Sequence, residues 1–518
     1  MAKGNEPFSR IKNQLGEQKL MSAFKIQVST IDGEPLMQKG RMSCRHGLIA
    51  GATGTGKTVT LQVLAEGFLQ MGVSVLVADI KGDLSGIGAP SQSKDKVLER
   101  VAKLGLTHTP RAHNVVFWDL LAGSTNAGQD LASLSTTGHP LRTTISEVGP
   151  TLLAFLLDLN DTQSSVLQMC FKYADDQSLL ILDLKDLSAL LSSISDQAGE
   201  LSKDYGYLPK QSLAAIQRDV IAFQEQGGDH FFGEPALDLQ DLLRTNNNGE
   251  GVLHLLDATR LIHEYPKLYA VFMIWLLAEL FEEMPEVGEV EKPKFVLFFD
   301  EAHILFNSAP KTLLEMVERA VRLIRSKGVG LYFVTQDPCD IPDAILGQLG
   351  LKVQHGIRAF TPKDRQAIKT IADNFRDNPK VDVADAVTNL GIGEALVSTL
   401  DGNGVPNRVE RALICPPMSR IGPLNEQERA EVFARSPFHG KYDKGVDRES
   451  AYEMLQARAL KAQQARADQA QDVKKSKPTK KSQQRQSMGE AMMKSALRSI
   501  GSQLGRQIVR GLFGVLKR

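Results

Sequence analysis

The stretch Gly51-Ala52-Thr53-Gly54-Thr55-Gly56-Lys57-Thr58 decides the fold of this chain. It matches the pattern G-x-x-x-x-G-K-[S/T] at every fixed position, and we call it the phosphate loop. The backbone N–H groups of such a loop converge on phosphate oxygens, and the following helix adds the positive end of its dipole. We expect all eight residues to bind a nucleoside triphosphate. Lys57 would neutralise its β- and γ-phosphates, and the Thr58 hydroxyl would bind Mg²⁺.

The residues around the phosphate loop predict a strand, a helix and a second strand. A short apolar run, 46–50, precedes the loop, a helical pattern follows it, and residues 73–79 form another apolar run. A strand–helix–strand unit within about 35 residues is typical of a parallel sheet with helices on its faces. Three later apolar runs predict further buried strands, at 252–256, 295–299 and 330–335. The expected fold class is therefore α/β with a mainly parallel sheet.

Polar residues follow all three of the later predicted strands, at the sheet edge where parallel strands end and ligands bind. Asp257 follows the run 252–256. Asp300 and Glu301 follow the run 295–299. Asp300 stands where a metal-orienting carboxylate is needed, and Glu301 is suited to polarising an attacking water. Gln336 follows the run 330–335 and is suited to sensing the γ-phosphate or positioning water. The alternative for Gln336 is a simple turn residue.

Three arginines, Arg319, Arg322 and Arg325, recur at every third position ahead of the strand at 330–335. This spacing on a helix usually produces a solvated face or a face between subunits. One arginine of such a face can reach the γ-phosphate bound by a neighbouring subunit.

Composition and charge limit the class of protein. The chain has 518 residues, 42% hydrophobic and 24% charged, which excludes a fibrous or wholly disordered protein. Its four cysteines are far apart and form no C-x-x-C pair, which excludes a disulfide scaffold and a zinc site recognisable from cysteine spacing. They fit a reducing cytosol, so we expect a cytoplasmic protein. The longest apolar stretch, 268–281, is shorter than the roughly 20 residues that cross a bilayer.

The net charge of zero conceals an acidic body and a basic tail. Residues 471–518 contain twelve Lys and Arg against two Asp and Glu, a net charge of +10, so residues 1–470 sum to −10. Apolar residues at spacings of three and four predict a basic amphipathic helix within 491–518. Three partners fit such a helix: a membrane surface, nucleic acid, or a protein. Its lack of interleaved aromatic residues favours a protein or a membrane over DNA.

Changes in pattern along the chain predict six segments. They are a short N-terminal segment at 1–45, the first part of the ATPase core at 46–140, a mainly helical insertion at 141–248, the second part of the core at 249–423, a charged helical segment at 424–470, and a basic low-complexity linker with the amphipathic tail at 471–518.

Taken together, the motifs resemble the HerA-like branch of the HerA/FtsK superfamily of P-loop ATPases, and most closely its bacterial HerA-like helicase C-terminal domain family. The resemblance covers 45–423 and rests on motifs in a shared order: 45–58, Asp79-Ile80-Lys81-Gly82-Asp83, Phe299-Asp300-Glu301-Ala302-His303, Val334-Thr335-Gln336 and 390–396.

This resemblance implies a RecA-like P-loop NTPase core that assembles as a hexameric ring, with ATP and Mg²⁺ between protomers. It implies Lys57 and Thr58 on phosphate and Mg²⁺, Asp300 on the metal, Glu301 as catalytic base and Gln336 as sensor. Arg325 occupies about the place of the trans-acting arginine of the family, although the register among the three arginines stays open.

The resemblance also implies an ATP-driven DNA translocase or helicase-like enzyme. HerA itself carries an N-terminal β-barrel that docks a nuclease. Only some 45 residues precede the core here, so we expect no nuclease partner. Two alternatives keep the nucleotide site: an ATPase that drives polypeptide transport, and a nucleotide-gated scaffold that recruits partners through its tail. The acidic body slightly favours polypeptide over DNA, because a DNA channel needs inward-facing basic residues.

Overall fold

The computed structural model describes residues 25–31, 34–92, 95–122, 138–358 and 362–475. These residues pack as two units. The sheet unit comprises the described residues of 1–141 and 237–444, and the helical unit those of 142–236 and 445–518.

The described residues of the sheet unit form one twelve-stranded sheet. Its strands are β1 (Lys25–Ile31), β2 (Glu34–Lys39), β3 (Gly47–Ala50), β4 (Ser74–Asp79), β5 (Val115–Asp119), β6 (His139–Pro140), β7 (Leu253–Asp257), β8 (Phe295–Phe299), β9 (Val329–Thr335), β10 (Leu351–His355), β11 (Glu394–Ser398) and β12 (Glu410–Ile414). Their order across the sheet is β2-β1-β12-β11-β10-β3-β9-β8-β4-β7-β5-β6.

The strands from β10 to β6 in this order are all parallel, and β11, β12, β1 and β2 continue the sheet antiparallel. Every residue of β4, β8 and β9 is buried. Such continuous burial is typical of parallel strands covered by helices on both faces. The predicted α/β fold with a mainly parallel sheet is confirmed.

The helices, numbered in chain order, are α1 (Lys57–Gln70), α2 (Asp95–Leu104), α3 (Ile145–Leu156), α4 (Asp161–Asp176), α5 (Leu184–Tyr205), α6 (Lys210–Glu225), α7 (Leu239–Leu242), α8 (Leu261–Glu264), α9 (Pro266–Glu283), α10 (His303–Ser308), α11 (Lys311–Leu323), α12 (Asp343–Leu346), α13 (Pro362–Asp373), α14 (Val383–Thr388), α15 (Glu426–Ala434) and α16 (Ala451–Lys475). Among the described helices, none combines the length and apolar character that crossing a membrane requires.

The helical unit contains α3 to α6 and α16. Helices α3, α4 and α5 each begin with a capping box, in which the first side chain and the third helical residue satisfy each other's backbone N–H groups. Helix α3 bends at Gly149, whose φ of 74° lies outside the helical region, directly before Pro150. Helix α16 packs against α5 within this unit.

The structure ends the helical insertion at 236, whereas the sequence pattern predicts an end at 248. The difference arises because α7 packs on β4, and the Ser74 hydroxyl donates to the carbonyl of Arg244 at 2.6 Å. These contacts attach 237–248 to the sheet.

Two further segments differ from the predicted organisation. The charged segment 424–470 contains two helices, α15 and α16, separated by non-helical residues that include Pro437, which lacks the N–H a helix needs. The N-terminal segment contributes the hairpin of β1 and β2, and β1 pairs with β12. The predicted amphipathic tail helix lies outside the described residues.

Candidate nucleotide site

The phosphate loop connects β3 to α1, which begins at Lys57. Gly51 and Gly56 have φ angles of 145° and 120°, which residues with a side chain rarely adopt. A Cβ atom on Gly51 would lie 2.6 Å from Cβ of His355. Glycine is therefore required at position 51 both by backbone conformation and by the close approach of β10.

Neighbouring strand ends hold the loop in place. The Gly51 N–H donates to the carbonyl of Thr335 at 3.3 Å, and the Ala52 N–H donates to the carbonyl of Gly356 at 2.9 Å. Thr335 is the last residue of β9 and Gly356 follows β10, and these two strands flank β3 on its two sides. The loop is thus fixed by the two strands parallel to its own.

A buried histidine supports the loop from behind. Nδ1 of His355 lies 2.9 Å from the carbonyl oxygen of Glu394, so this nitrogen carries the proton and Nε2 accepts from the Thr60 hydroxyl at 2.8 Å. Burial and the charge of Lys57 lower the pKa of His355 to about 4. The ring therefore stays neutral and connects α1 to β11.

Lys57 is buried and lies over the loop. Its Nζ donates to the carbonyls of Gly51 at 2.7 Å and Ala52 at 3.2 Å. Burial and the charge of Lys81 lower the pKa of Lys57, and the carboxylates that follow β8 oppose this shift. Thr58, the next residue, is half-buried in the first turn of α1.

Asp300 and Glu301 stand at the end of β8, two strands away from β3. Asp300 is only 9% exposed, and its Oδ1 accepts the N–H of Glu301 at 3.0 Å. Burial and the neighbouring Glu301 raise the pKa of Asp300 to about 7. Buried carboxylates without full charge compensation fit a cation, and hydroxyl and carboxylate oxygens suit Mg²⁺. The chemistry of Thr58 and Asp300 therefore fits this ion.

Glu301 contacts two further side chains. Lys81 places Nζ 3.1 Å from its Oε1, and His303 places Nδ1 3.4 Å from its Oε2. Burial lowers the pKa of Lys81, but Asp300 and Glu301 outweigh this effect and leave the pKa raised. Sequence reasoning assigned no role to Lys81 or His303. The signal for Lys81 was its position just after β4, at the ligand-facing edge of the sheet.

The turn that carries Lys81 is organised by Asp79, the last residue of β4. Its Oδ1 accepts the N–H groups of Gly82 at 2.8 Å and Asp83 at 3.2 Å, and its Oδ2 accepts the N–H of Leu84 at 3.1 Å. Burial raises the pKa of Asp79 to about 6. Asp79 is therefore a turn-forming residue, and Lys81 is the member of this motif that reaches the other carboxylates.

Gln336 lies between the phosphate loop and Glu301. Its Oε1 accepts from the Thr53 hydroxyl at 3.3 Å, and its Nε2 lies 3.4 Å from both carboxylate oxygens of Glu301. The structure thus brings together the loop, Asp300, Glu301 and Gln336, as the sequence pattern predicts.

Arg325 lies elsewhere. It belongs to a short 3₁₀ helix, Ile324–Lys327, that precedes β9, whereas Gln336 follows that strand. The two residues therefore lie at opposite ends of the parallel strands, that is, at opposite edges of the sheet along the strand direction. Arg325 does not join the phosphate loop of its own chain. It pairs instead with Glu289 at 3.5 Å, as do Arg41 at 2.6 Å and Arg45 at 3.6 Å.

A basic cavity of about 420 Å³ opens at this second edge. Its lining includes the cationic side chains Arg45, Arg322, Arg325, Lys352 and Arg376. Arg319 is exposed on α11 and is not part of this lining. Arg322 and Arg325 therefore line this cavity, and Arg319 does not.

The chain is similar to known proteins both in sequence and in structure. The family described as Helicase HerA-like C-terminal matches residues 25–518. The chain is 26% identical over 365 residues to DNA double-strand break repair helicase HerA of Saccharolobus solfataricus, an alignment covering 68% of this chain and 61% of that relative. It is 21% identical over 383 residues to the protein of the same name from Sulfolobus acidocaldarius, covering 73% and 67%. The chain thus spans about three fifths to two thirds of the length of these relatives.

Two solved structures are similar in part. The plasmid coupling protein TrwB in complex with ADP and Mg²⁺ is 15% identical, with a TM-score of 0.48 over 80% of this chain and 94% of that one. VirB4 of Thermoanaerobacter pseudethanolicus is 16% identical, with a TM-score of 0.46 over 78% and 98%.

Proposed function

The chain belongs to the Helicase HerA-like C-terminal family, and from this membership we propose that it is a ring-forming motor that hydrolyses ATP and acts on DNA. The observation that carries the proposal is Gln336, whose side chain contacts Thr53 of the phosphate loop at 3.3 Å and Glu301 at 3.4 Å. It connects the loop that would hold the phosphates to the carboxylate that would activate water.

In this mechanism the loop N–H groups and Lys57 hold the β- and γ-phosphates. Glu301 accepts a proton from a water molecule, whose oxygen forms a bond to the γ-phosphorus. The bond from that phosphorus to the bridging oxygen breaks, and ADP leaves with the electron pair. Thr58 and Asp300 would hold Mg²⁺, which when bound offsets the phosphate charge. Gln336 contacts both the loop and Glu301, so loss of the γ-phosphate would alter the position of the base.

We assign Arg325 to the active site of a neighbouring protomer. Two observations support this assignment: its position at the sheet edge opposite its own phosphate loop, and its place in the basic cavity. A cavity lined by arginine and lysine side chains is suited to a triphosphate bound by another subunit. This arrangement requires head-to-tail contacts between copies, and such contacts form a ring when the rotation from one copy to the next closes. We propose a hexamer.

DNA is the proposed polymer because the relatives are named DNA repair helicases. The proposed compartment is the cytoplasm, in agreement with the four unpaired cysteines Cys44, Cys170, Cys339 and Cys415.

The test measures phosphate release by the purified chain with no polymer, with single-stranded DNA and with double-stranded DNA. We expect ATP hydrolysis that DNA stimulates, and a Glu301→Gln variant that retains nucleotide binding but loses turnover by about 100-fold or more. Glu315→Gln is the matched control, because Glu315 is exposed on α11. Hydrolysis without DNA binding or stimulation would contradict the DNA assignment. Unchanged turnover in Glu301→Gln would contradict the catalytic base.

A further inference from the structure

Two histidines and an aspartate from distant parts of the sequence meet in the sheet unit. His139 is the first residue of β6, and His439 and Asp443 lie in the turns that follow α15. Nδ1 of His139 is 2.6 Å from Oδ1 of Asp443, and Nδ1 of His439 is 3.5 Å from its Oδ2. The potential ligand atoms of all three side chains lie within 4.8 Å of one another.

The hydrogen bonds on the far side of each ring determine what the cluster presents. Nε2 of His439 lies 2.7 Å from the carbonyl oxygen of Phe433, which only accepts hydrogen bonds, so Nε2 carries the proton. In the neutral ring, Nδ1 then carries no proton, and its lone pair faces Oδ2 of Asp443. Two acceptors facing each other at this distance repel, and a cation between them removes the repulsion.

His139 also directs its Nδ1 at Asp443. At 2.6 Å from Oδ1, this nitrogen donates its proton to the carboxylate when no metal is bound, and Nε2 accepts from the Ser436 hydroxyl at 2.7 Å. A metal on Nδ1 would replace that proton, and the Nε2–H would then donate to the Ser436 hydroxyl oxygen. The Phe433 ring packs against both imidazoles, with centroid distances of 4.5 Å to His139 and 4.9 Å to His439. Histidine ligands of metals commonly donate their second ring N–H to an oxygen acceptor, which fixes the ring orientation. With a metal on Nδ1, the backbone carbonyl of Phe433 and the hydroxyl of Ser436 would be these acceptors.

We propose that His139 and His439, through Nδ1, and the Asp443 carboxylate bind a divalent transition-metal ion, with Zn²⁺ as the preferred ion. Two imidazoles and one carboxylate suit zinc, whereas Mg²⁺ and Ca²⁺ prefer oxygen ligands alone. Tetrahedral bonds of about 2.0–2.2 Å place ligand atoms roughly 3.3–3.6 Å apart. An ion would therefore have to separate Nδ1 of His139 from Oδ1 of Asp443, which lie 2.6 Å apart, by about 1 Å or less.

Access to this cluster is from one side. The His139 side chain is fully buried, whereas those of His439 and Asp443 are 42% and 21% exposed. An ion can enter from the exposed side, and water can complete the fourth position. The bound ion would join β6 to the turns at 436–443 and so close a long loop of the chain. We therefore assign it a structural role in the sheet unit, separate from the nucleotide site.

The test uses the full chain, treated with a chelator, dialysed against ZnCl₂ without nucleotide and analysed by mass spectrometry of the metal content. We expect one zinc per chain in the natural protein, and loss of this zinc in His439→Ala and Asp443→Asn. Ser436→Ala should weaken binding roughly tenfold, because it removes only the orienting partner of His139. His263→Ala is the matched control, since His263 is an exposed histidine on α8.

Thermal unfolding with and without ZnCl₂ provides the second measurement. We expect zinc to raise the midpoint of the natural protein and of His263→Ala, but not of the two ligand variants. Both ligand variants replace side chains that are partly exposed, and circular dichroism checks that they fold. Failure of the natural protein to bind zinc would overturn the proposal. So would retention of zinc by folded His439→Ala and Asp443→Asn, since the ion would then be elsewhere.

Discussion

Nζ of Lys81 lies 3.1 Å from Oε1 of Glu301, and this ion pair connects the ends of two adjacent strands, β4 and β8. Lys81 is the cation closest to the proposed catalytic base. Glu301 is buried, at 5% exposed, whereas the Lys81 side chain is 38% exposed, so Lys81 reaches the carboxylate from the solvent side.

We expect Lys81→Met to lower ATP turnover by roughly tenfold to 100-fold, with a smaller change in KM, because the base loses its positioning partner. Steady-state phosphate release at varied ATP concentration measures both quantities. Lys172→Met is the control, since Lys172 forms a 3.0 Å pair with Asp176 between exposed side chains, and such pairs contribute little. Equal loss of turnover in both variants, or none in Lys81→Met, would argue against a positioning role.

The raised pKa of Asp300, about 7 against 3.8 for the free side chain, predicts a pH dependence of stability. Between these values the unfolded chain releases a proton that the folded chain retains, so stability falls as pH rises and levels off above about 7. The full difference corresponds to at most about 4 kcal/mol. We expect Asp300→Asn to lose less thermal stability than the natural protein between pH 5 and pH 8, without nucleotide or metal.

Asp300→Asn must be compared with the natural protein because buried histidines change stability with pH in the opposite direction. Burial lowers the pKa of His46, His113 and His355 to about 4, so their contribution to stability is lost as pH falls below 6.5. Asp300→Asn and the natural protein share this effect of the histidines, so it cancels when their stabilities are subtracted. Asp343→Asn, at an exposed carboxylate on α12, is the control. Identical pH profiles for Asp300→Asn and the natural protein would show that Asp300 is not the titrating group.

Gly51→Ala should abolish nucleotide binding and destabilise the fold by about 1–3 kcal/mol, because the new Cβ meets His355 at 2.6 Å and a φ of 145° is strained. Binding of a fluorescent ATP analogue and thermal unfolding measure the two effects. Gly105→Ala is the control that changes only the backbone strain. Gly105 also has a positive φ, but its new Cβ would meet nothing within 4 Å. Equal destabilisation of the two variants would attribute the cost to backbone conformation alone.

A mixing experiment tests whether Arg325 acts on a neighbouring site. We expect Arg325→Ala and Glu301→Gln to be inactive separately. An equal mixture should regain activity, because about a quarter of the interfaces in mixed rings combine an intact base with an intact arginine. Arg319→Ala, outside the basic cavity, should remain active alone. A mixture with no recovered activity, although mixed rings form by mass measurement, would contradict the assignment of Arg325 to the active site of a neighbouring protomer.

Local patterns in the sequence predicted the part of the site made by contiguous residues. The phosphate loop needs glycines where φ is positive, and the carboxylates at 300–301 follow five buried apolar residues. Five strands were predicted from their apolar runs, because a buried strand needs consecutive apolar residues. They are β3, β4, β7, β8 and β9. Strands β5 and β10 have similar runs but no adjoining motif, and β1 and β2 are recognisable only through their pairing with the rest of the sheet.

What the sequence by itself determined is the phosphate loop, the carboxylate pair and the parallel sheet, because short-range backbone requirements and runs of buried side chains depend on neighbouring residues. Only the tertiary structure decided which distant groups meet. The order of strands placed Lys81 beside Glu301, put Arg325 at the edge away from its own loop, and brought His139 to His439 and Asp443. These contacts depend on crossovers and on packing between remote segments, for which no local pattern exists.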